Sequence, residues 1–244
     1  MQNQYDPRTT DGLNPAVSVG VPRAARDAGL RSYMLSVYNY MASGVLLTGI
    51  VAMTLAMTGV AETIFAGGIL KWVVIFSPLI MIMIMGARMQ RMSTSGMQTF
   101  FWAFAAVMGV SMSVIPLIYS GSSIATTFFA TSAAFLSLSL YGYTTKKDLS
   151  GFGTFLIMGV VGLLVVMIAN MFIRSTGLSL AISAIGVLLF AGLTVYDTQK
   201  IKSMYAHVAG TDMLGKTVIM GALTLYLDFI NMFQFLLSFM GNRE

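Results

Sequence analysis

The chain has no cysteine and a single histidine, His207, among its 244 residues. That excludes disulfides, thiolate nucleophiles and cysteine-ligated metals, and it leaves too few imidazoles for a histidine-built metal centre. Charge is scarce too. Only 9% of residues are Asp, Glu, Lys or Arg, whereas 57% are hydrophobic; ordinary soluble domains carry roughly 25% charged residues. The basic residues form no continuous patch, so nucleic-acid binding is not expected. Nothing is left over for a soluble catalytic domain, and no enzyme is expected.

What the chain does have is long apolar runs. A bilayer crossing takes about 20 mainly apolar residues, and seven segments qualify, at approximately 34–60, 72–90, 97–119, 123–143, 152–173, 178–198 and 217–240. The breaks carry turn chemistry or charge, as in "YSGSS", "TTKKDLSG" and the longer "KIKSMYAHVAGTDMLGK". Helix is the open-chain structure that pairs every backbone group in lipid. The expected fold is therefore an all-α polytopic membrane protein with short loops and antiparallel neighbours. Residues 1–30 are assigned to a disordered cytoplasmic tail, since the "MQNQYDPRTTDGLNPAVSVGVP" stretch has no periodicity, and 31–244 to the seven-helix domain.

Basic residues set the direction. Arg23, Arg26, Arg31, Arg88, Arg91, Lys146, Lys147, Lys200, Lys202 and Lys216 fall on the side of the N-terminus, against Lys71, Arg174 and Arg243 on the other. This bias predicts a cytoplasmic N-terminus and an external C-terminus. The abundant methionines, densest in "LIMIMIMGARM", read as flexible apolar filler.

Two acids break the apolar pattern. Asp197 ends "VLLFAGLTVYDTQKIK", and Asp228 lies near the middle of "ALTLYLDFINMFQFLL". An ionisable group at membrane depth is costly and is read by default as functional. Counted at 1.5 Å per residue from Lys216, Asp228 is roughly 18 Å deep. Asp197 is expected near the surface, where it has a plainer reading as a partner of Lys200 at i+3. Arg91 likewise reads either as a snorkelling anchor or as a latch for an aspartate. Brought together in a poorly solvated place, the two carboxylates cannot both ionise cheaply, and one shared proton makes a pH sensor without histidine.

"AGLTVYDTQKIK" and "ALTLYLDFINMFQFLL" resemble the two signature stretches of the Bax inhibitor-1 (transmembrane Bax inhibitor motif) family, and "SLYGYTTKKDLSGFG" is similar to its bacterial, YccA- and YetJ-like branch. The resemblance covers about residues 30–242. It implies six helices around a central seventh, and a pH-sensitive calcium leak in the bacterial inner (plasma) membrane. Asp197 and Asp228 would be the di-aspartyl sensor, with an arginine at the end of the second span as latch. "RMQRM" offers Arg88 and Arg91; Arg91 is favoured because without gaps it brings the Gly109 region into register. The resemblance also implies an alternative, a non-conducting regulator bound to a membrane protease of the FtsH type. No cofactor or tightly bound metal is expected, Ca²⁺ being the transported ion. A dense cage of 6–8 oxygens is not available; Asn231, Thr224, Tyr226 and Asn170 are the polar candidates for lining a path. Intramembrane aspartyl proteolysis is a poor fit, because "LYL" precedes Asp228 where that chemistry needs a Gly-rich motif.

Overall fold

The computed structural model describes residues 23–88 and 91–242, with side chains from Arg26 onward. Among them the backbone is helical and has no strand. The elements run α1 (Arg23–Met57), α2 (Val60–Phe65), α3 (Ile69–Arg88), α4 (Thr94–Met112), α5 (Ile115–Ile118), α6 (Gly121–Thr144), α7 (Ser150–Ile173), α8 (Thr176–Val208) and α9 (Met213–Met240). Seven spans are long and apolar enough to cross a membrane, with α4 and α5 forming one of them across a break beside Pro116. Helix starts carry the expected chemistry. Ser93, Ser120 and Ser175 each accept a hydrogen bond from a backbone N–H in the first turn of α4, α6 and α8.

Two boundaries differ from the sequence reading. Helix α1 begins at Arg23, so residues 23–30 belong to a helix rather than to the tail, while residues 1–22 lie outside the described part. Helix α8 continues to Val208, ten residues past the expected end of the sixth span at 198. Lys200 and Lys202 mark where the apolar run stops, but charge does not stop a helix. The stop is at Gly210, which takes a φ of 76° and turns the chain into α9.

Helix α9 is the axis of the bundle. Of its most apolar window 61% is buried, against 11–39% for the other six spans. Helices α1, α4, α6 and α8 pack directly on it, while α3 packs chiefly on α4 and α7 on α8. The expected six-around-one arrangement is thus built in two layers. Glycines set the closest approaches: a Cβ at Gly142 of α6 would collide with the backbone carbonyl of Val195 in α8, and one at Gly109 of α4 would lie 2.8 Å from the carbonyl of Thr48 in α1. On the α1–α4 side, Phe101, Phe104 and Tyr226 pack edge to face.

Candidate functional site

Helices α8 and α9 form an antiparallel hairpin whose register brings the two acids together. Away from the N-terminal side, Ser183 Oγ donates to Ser238 Oγ at 3.1 Å, and the ring of Phe235 covers Gly186. Nearer the turn, Ile201 packs on Gly221. Between these points Asp197 faces Asp228, and the two carboxyl groups lie within hydrogen-bonding reach of each other. Asp228 is 4% exposed and Asp197 9%. The extension of α8 to Val208 is what makes the pairing possible. It moves Asp197 away from the end of its helix to the level of Asp228, where the sequence had placed it near the surface.

Among the described residues no side chain outside the pair bonds to either carboxyl. Among the described residues no donor reaches Asp228 Oδ2. Thr224 and Asn231 share its helical face, as expected, but Thr224 Oγ1 donates to the carbonyl of Met220 at 3.1 Å and Asn231 Nδ2 to that of Leu227 at 2.8 Å. Lys200 is the cation whose field reaches Asp197, yet its Nζ lies over the Tyr196 ring, 5.8 Å from the centroid. Arg88 and Arg91 are both exposed at the N-terminal side, and among the described residues neither forms an ion pair with either aspartate. Among the described residues the pair therefore has no arginine latch in this conformation.

The remaining candidates separate. Asn170 and Asn231 line one cavity of about 420 Å³ between α7, α8 and α9, in the half of the bundle away from the N-terminal side. Asn170 also holds the α7–α8 turn, accepting from the Ser175 N–H at 3.1 Å and donating to Ser179 Oγ at 2.8 Å. Tyr226 is elsewhere. It points to the opposite face of α9, where its hydroxyl meets Thr48 Oγ1 at 2.7 Å.

A family model described as inhibitor of apoptosis-promoting Bax1 matches residues 30–244. The chain belongs to the Bax inhibitor-1 family. It is 47% identical over 220 residues to an uncharacterized protein of Rickettsia prowazekii, covering 89% of this chain and 92% of that one. It is 42% identical to the inner membrane protein YbhL of Escherichia coli K12, covering 89% and 94%. A Caulobacter vibrioides protein, also uncharacterized, is 45% identical over 230 residues.

Within this Bax inhibitor-1 fold, two polar features escaped the sequence reading. Ser179, Ser183, Gln234 and Ser238 join the two asparagines around the far cavity. Their i, i+4 spacings on facing helices are the signal that was available. The second is a hydroxyl chain across α1, α6 and α8: Tyr38 to Ser139 at 2.6 Å, and Ser139 to Thr198 at 2.9 Å. It ends on the residue next to Asp197. Its members lie on helices far apart in sequence, so no local pattern shows it.

Proposed function

We propose that this protein is a proton-gated leak for Ca²⁺ in a bacterial inner membrane, oriented with its N-terminus in the cytoplasm, in which Asp197 and Asp228 are the sensor. The observation that carries the reading is the buried carboxyl-to-carboxyl contact, which no hydrogen-bond donor or ion pair from another described residue closes. One proton held between the two carboxyls leaves a single negative charge and makes a hydrogen bond across the α8–α9 seam. Losing it places two negative charges in contact in a poorly hydrated site, and the helices separate or a cation enters. The cavity lined by Asn170 and Asn231 supports a route from the far side. It reaches Asn231, one helical turn from Asp228, and offers amide and hydroxyl oxygens in place of hydration water. Sparse ligands suit transit, because an ion held by a full set of 6–8 oxygens leaves slowly. The similarity to YbhL supports the choice of membrane, and the basic bias supports the orientation.

The test is Ca²⁺ entry into dye-loaded proteoliposomes at pH 6 and pH 8, for the wild type, Asp197→Asn and Asp228→Asn. The expected result is a flux that differs between the two pH values in the wild type and loses that difference in both variants. Flux no greater than in empty liposomes at either pH would overturn the leak and leave regulation of a membrane protease as the reading to pursue.

A further inference from the structure

A second cavity, of about 580 Å³, lies on the other side of α9 from the polar one. It is walled by α1, the α4–α5 break, α6 and α9, and runs from the level of Phe229 toward the end of α1 at Met57. Its walls are almost wholly apolar, with Gly49, Pro116, Phe128, Phe229 and Phe233 among them. Protein interiors leave few voids larger than a water molecule, and this space has room for on the order of twenty water-sized groups. Water gains too few polar partners to fill an apolar cavity. A ligand that fills it must itself be apolar.

The mouth indicates which. At its edge stand Met53, Met57 and Phe129, exposed by 47%, 82% and 71%, and they continue the belt of exposed apolar side chains that seven spans turn toward lipid. The cavity is thus an inward extension of the lipid-facing surface. Two helical glycines, Gly49 and Gly121, border it, and a Cβ at either would meet nothing within 4 Å. Glycine is a poor residue inside a helix, and at Gly49, within α1, its effect is to keep the space clear; Gly121 is the first residue of α6.

We infer that this cavity is a binding site for one acyl chain of a phospholipid from the leaflet on the C-terminal side. The chain enters between α1 and α6 past Met53 and Phe129, and its end packs on Phe229 and Phe233 of the central helix. Phe229 adjoins Asp228, so an occupied cavity props the helix that carries one half of the acidic pair. The site stands on its own geometry and does not depend on the proposed leak.

The experiment uses the full chain in nanodiscs containing a phospholipid with a diazirine near the end of one acyl chain. After irradiation the labelled peptides are mapped. Phe229 and Phe233 are 4% and 6% exposed, out of reach of bulk lipid, whereas Phe172 on α7 is 83% exposed and serves as the reference. The expected result is label on α9 at Phe229 and Phe233 in the wild type, at least fivefold reduced in Gly49→Phe and in Gly49→Leu, with label at Phe172 unchanged. The two variants place a side chain into open space; a thermal-unfolding transition like that of the wild type reports that they are folded, and equal Phe172 labelling reports that they sit in the bilayer as it does. Absence of label on the α9 residues in the wild type, or label unchanged in both folded variants, overturns the site. Displacement of the α9 label by free fatty acid but not by excess unlabelled phospholipid overturns the choice of ligand.

Discussion

Tyr226 and Asp228 stand two positions apart on α9 and face opposite ways. Tyr226 closes a buried cluster: its hydroxyl meets Thr48 Oγ1, which in turn donates to the carbonyl of Ala105 at 2.8 Å, so three helices share one set of hydrogen bonds. Tyr226→Phe removes the outer bond and keeps the ring packed against Phe101 and Phe104. It is expected to lower stability by about 1 kcal/mol in thermal unfolding in detergent, and to leave the pH response of Ca²⁺ flux as in the wild type. Loss of the pH response in Tyr226→Phe would return the residue to the path. The sequence could not separate the two roles. Asp228 is legible as an anomaly because an acid in an apolar run has no ordinary reason to be there, whereas a tyrosine fits a core, an interface and a path equally well.

At the scale of elements, the far end of α8 carries the consequence of the missed boundary. The part beyond Asp197 is not a loop but a clamp on the α6–α7 turn. Gln199 accepts from the Leu149 N–H at 3.1 Å and donates to the Lys147 carbonyl at 2.7 Å, and Lys202 Nζ donates to the Tyr143 carbonyl at 2.6 Å. Gln199→Ala is expected to speed hydrogen exchange at Leu149 by roughly fivefold, as the loss of a hydrogen bond worth about 1 kcal/mol predicts. The same turn holds Asp148, whose carboxylate accepts from both the hydroxyl and the N–H of Ser150 and is thereby held below the usual carboxylate range. A depressed value means the contact is present above the ordinary carboxylate pKa near 3.9 and is lost only as pH falls through the lower, folded value. Asp148→Asn should therefore leave any change in flux between pH 6 and pH 8 intact. If it abolishes that change, the sensor is not the buried pair. The seven spans themselves were readable from hydropathy. The end of α8 was not, because the residues that finish the apolar run and the glycine that finishes the helix are ten positions apart.

Across the whole molecule, the absence of cysteine offers a clean way to ask whether α8 and α9 move apart. Ser183 and Ser238 are in hydrogen-bond contact at the far end of the seam, close enough for a disulfide with little adjustment. The double variant Ser183→Cys, Ser238→Cys is expected to conduct like the wild type when reduced. When oxidised it should lose at least tenfold of its flux at the permissive pH, with recovery on adding reductant. Equal flux in both redox states would place the opening motion elsewhere in the bundle. Ordering in two layers is the part of the architecture that composition does not announce. Helices α3 and α7 are the least buried of the seven spans and, at mean hydropathies of 2.2 and 2.7, more apolar than α9 at 1.4, so their hydropathy reports contact with lipid, while the less apolar α9 takes the centre.

The hairpin also bears on how such a chain is made. A helix with an unpaired aspartate near its centre is a poor candidate for release into lipid, at a cost of about 2.5–3.5 kcal/mol on translocon scales. Here the acid on the last helix finds its partner on the helix made immediately before it, across a four-residue turn at 209–212. The last two helices can therefore leave the translocon as a pair with their carboxyls already in contact, and α9 need not wait for the rest of the bundle to shelter it.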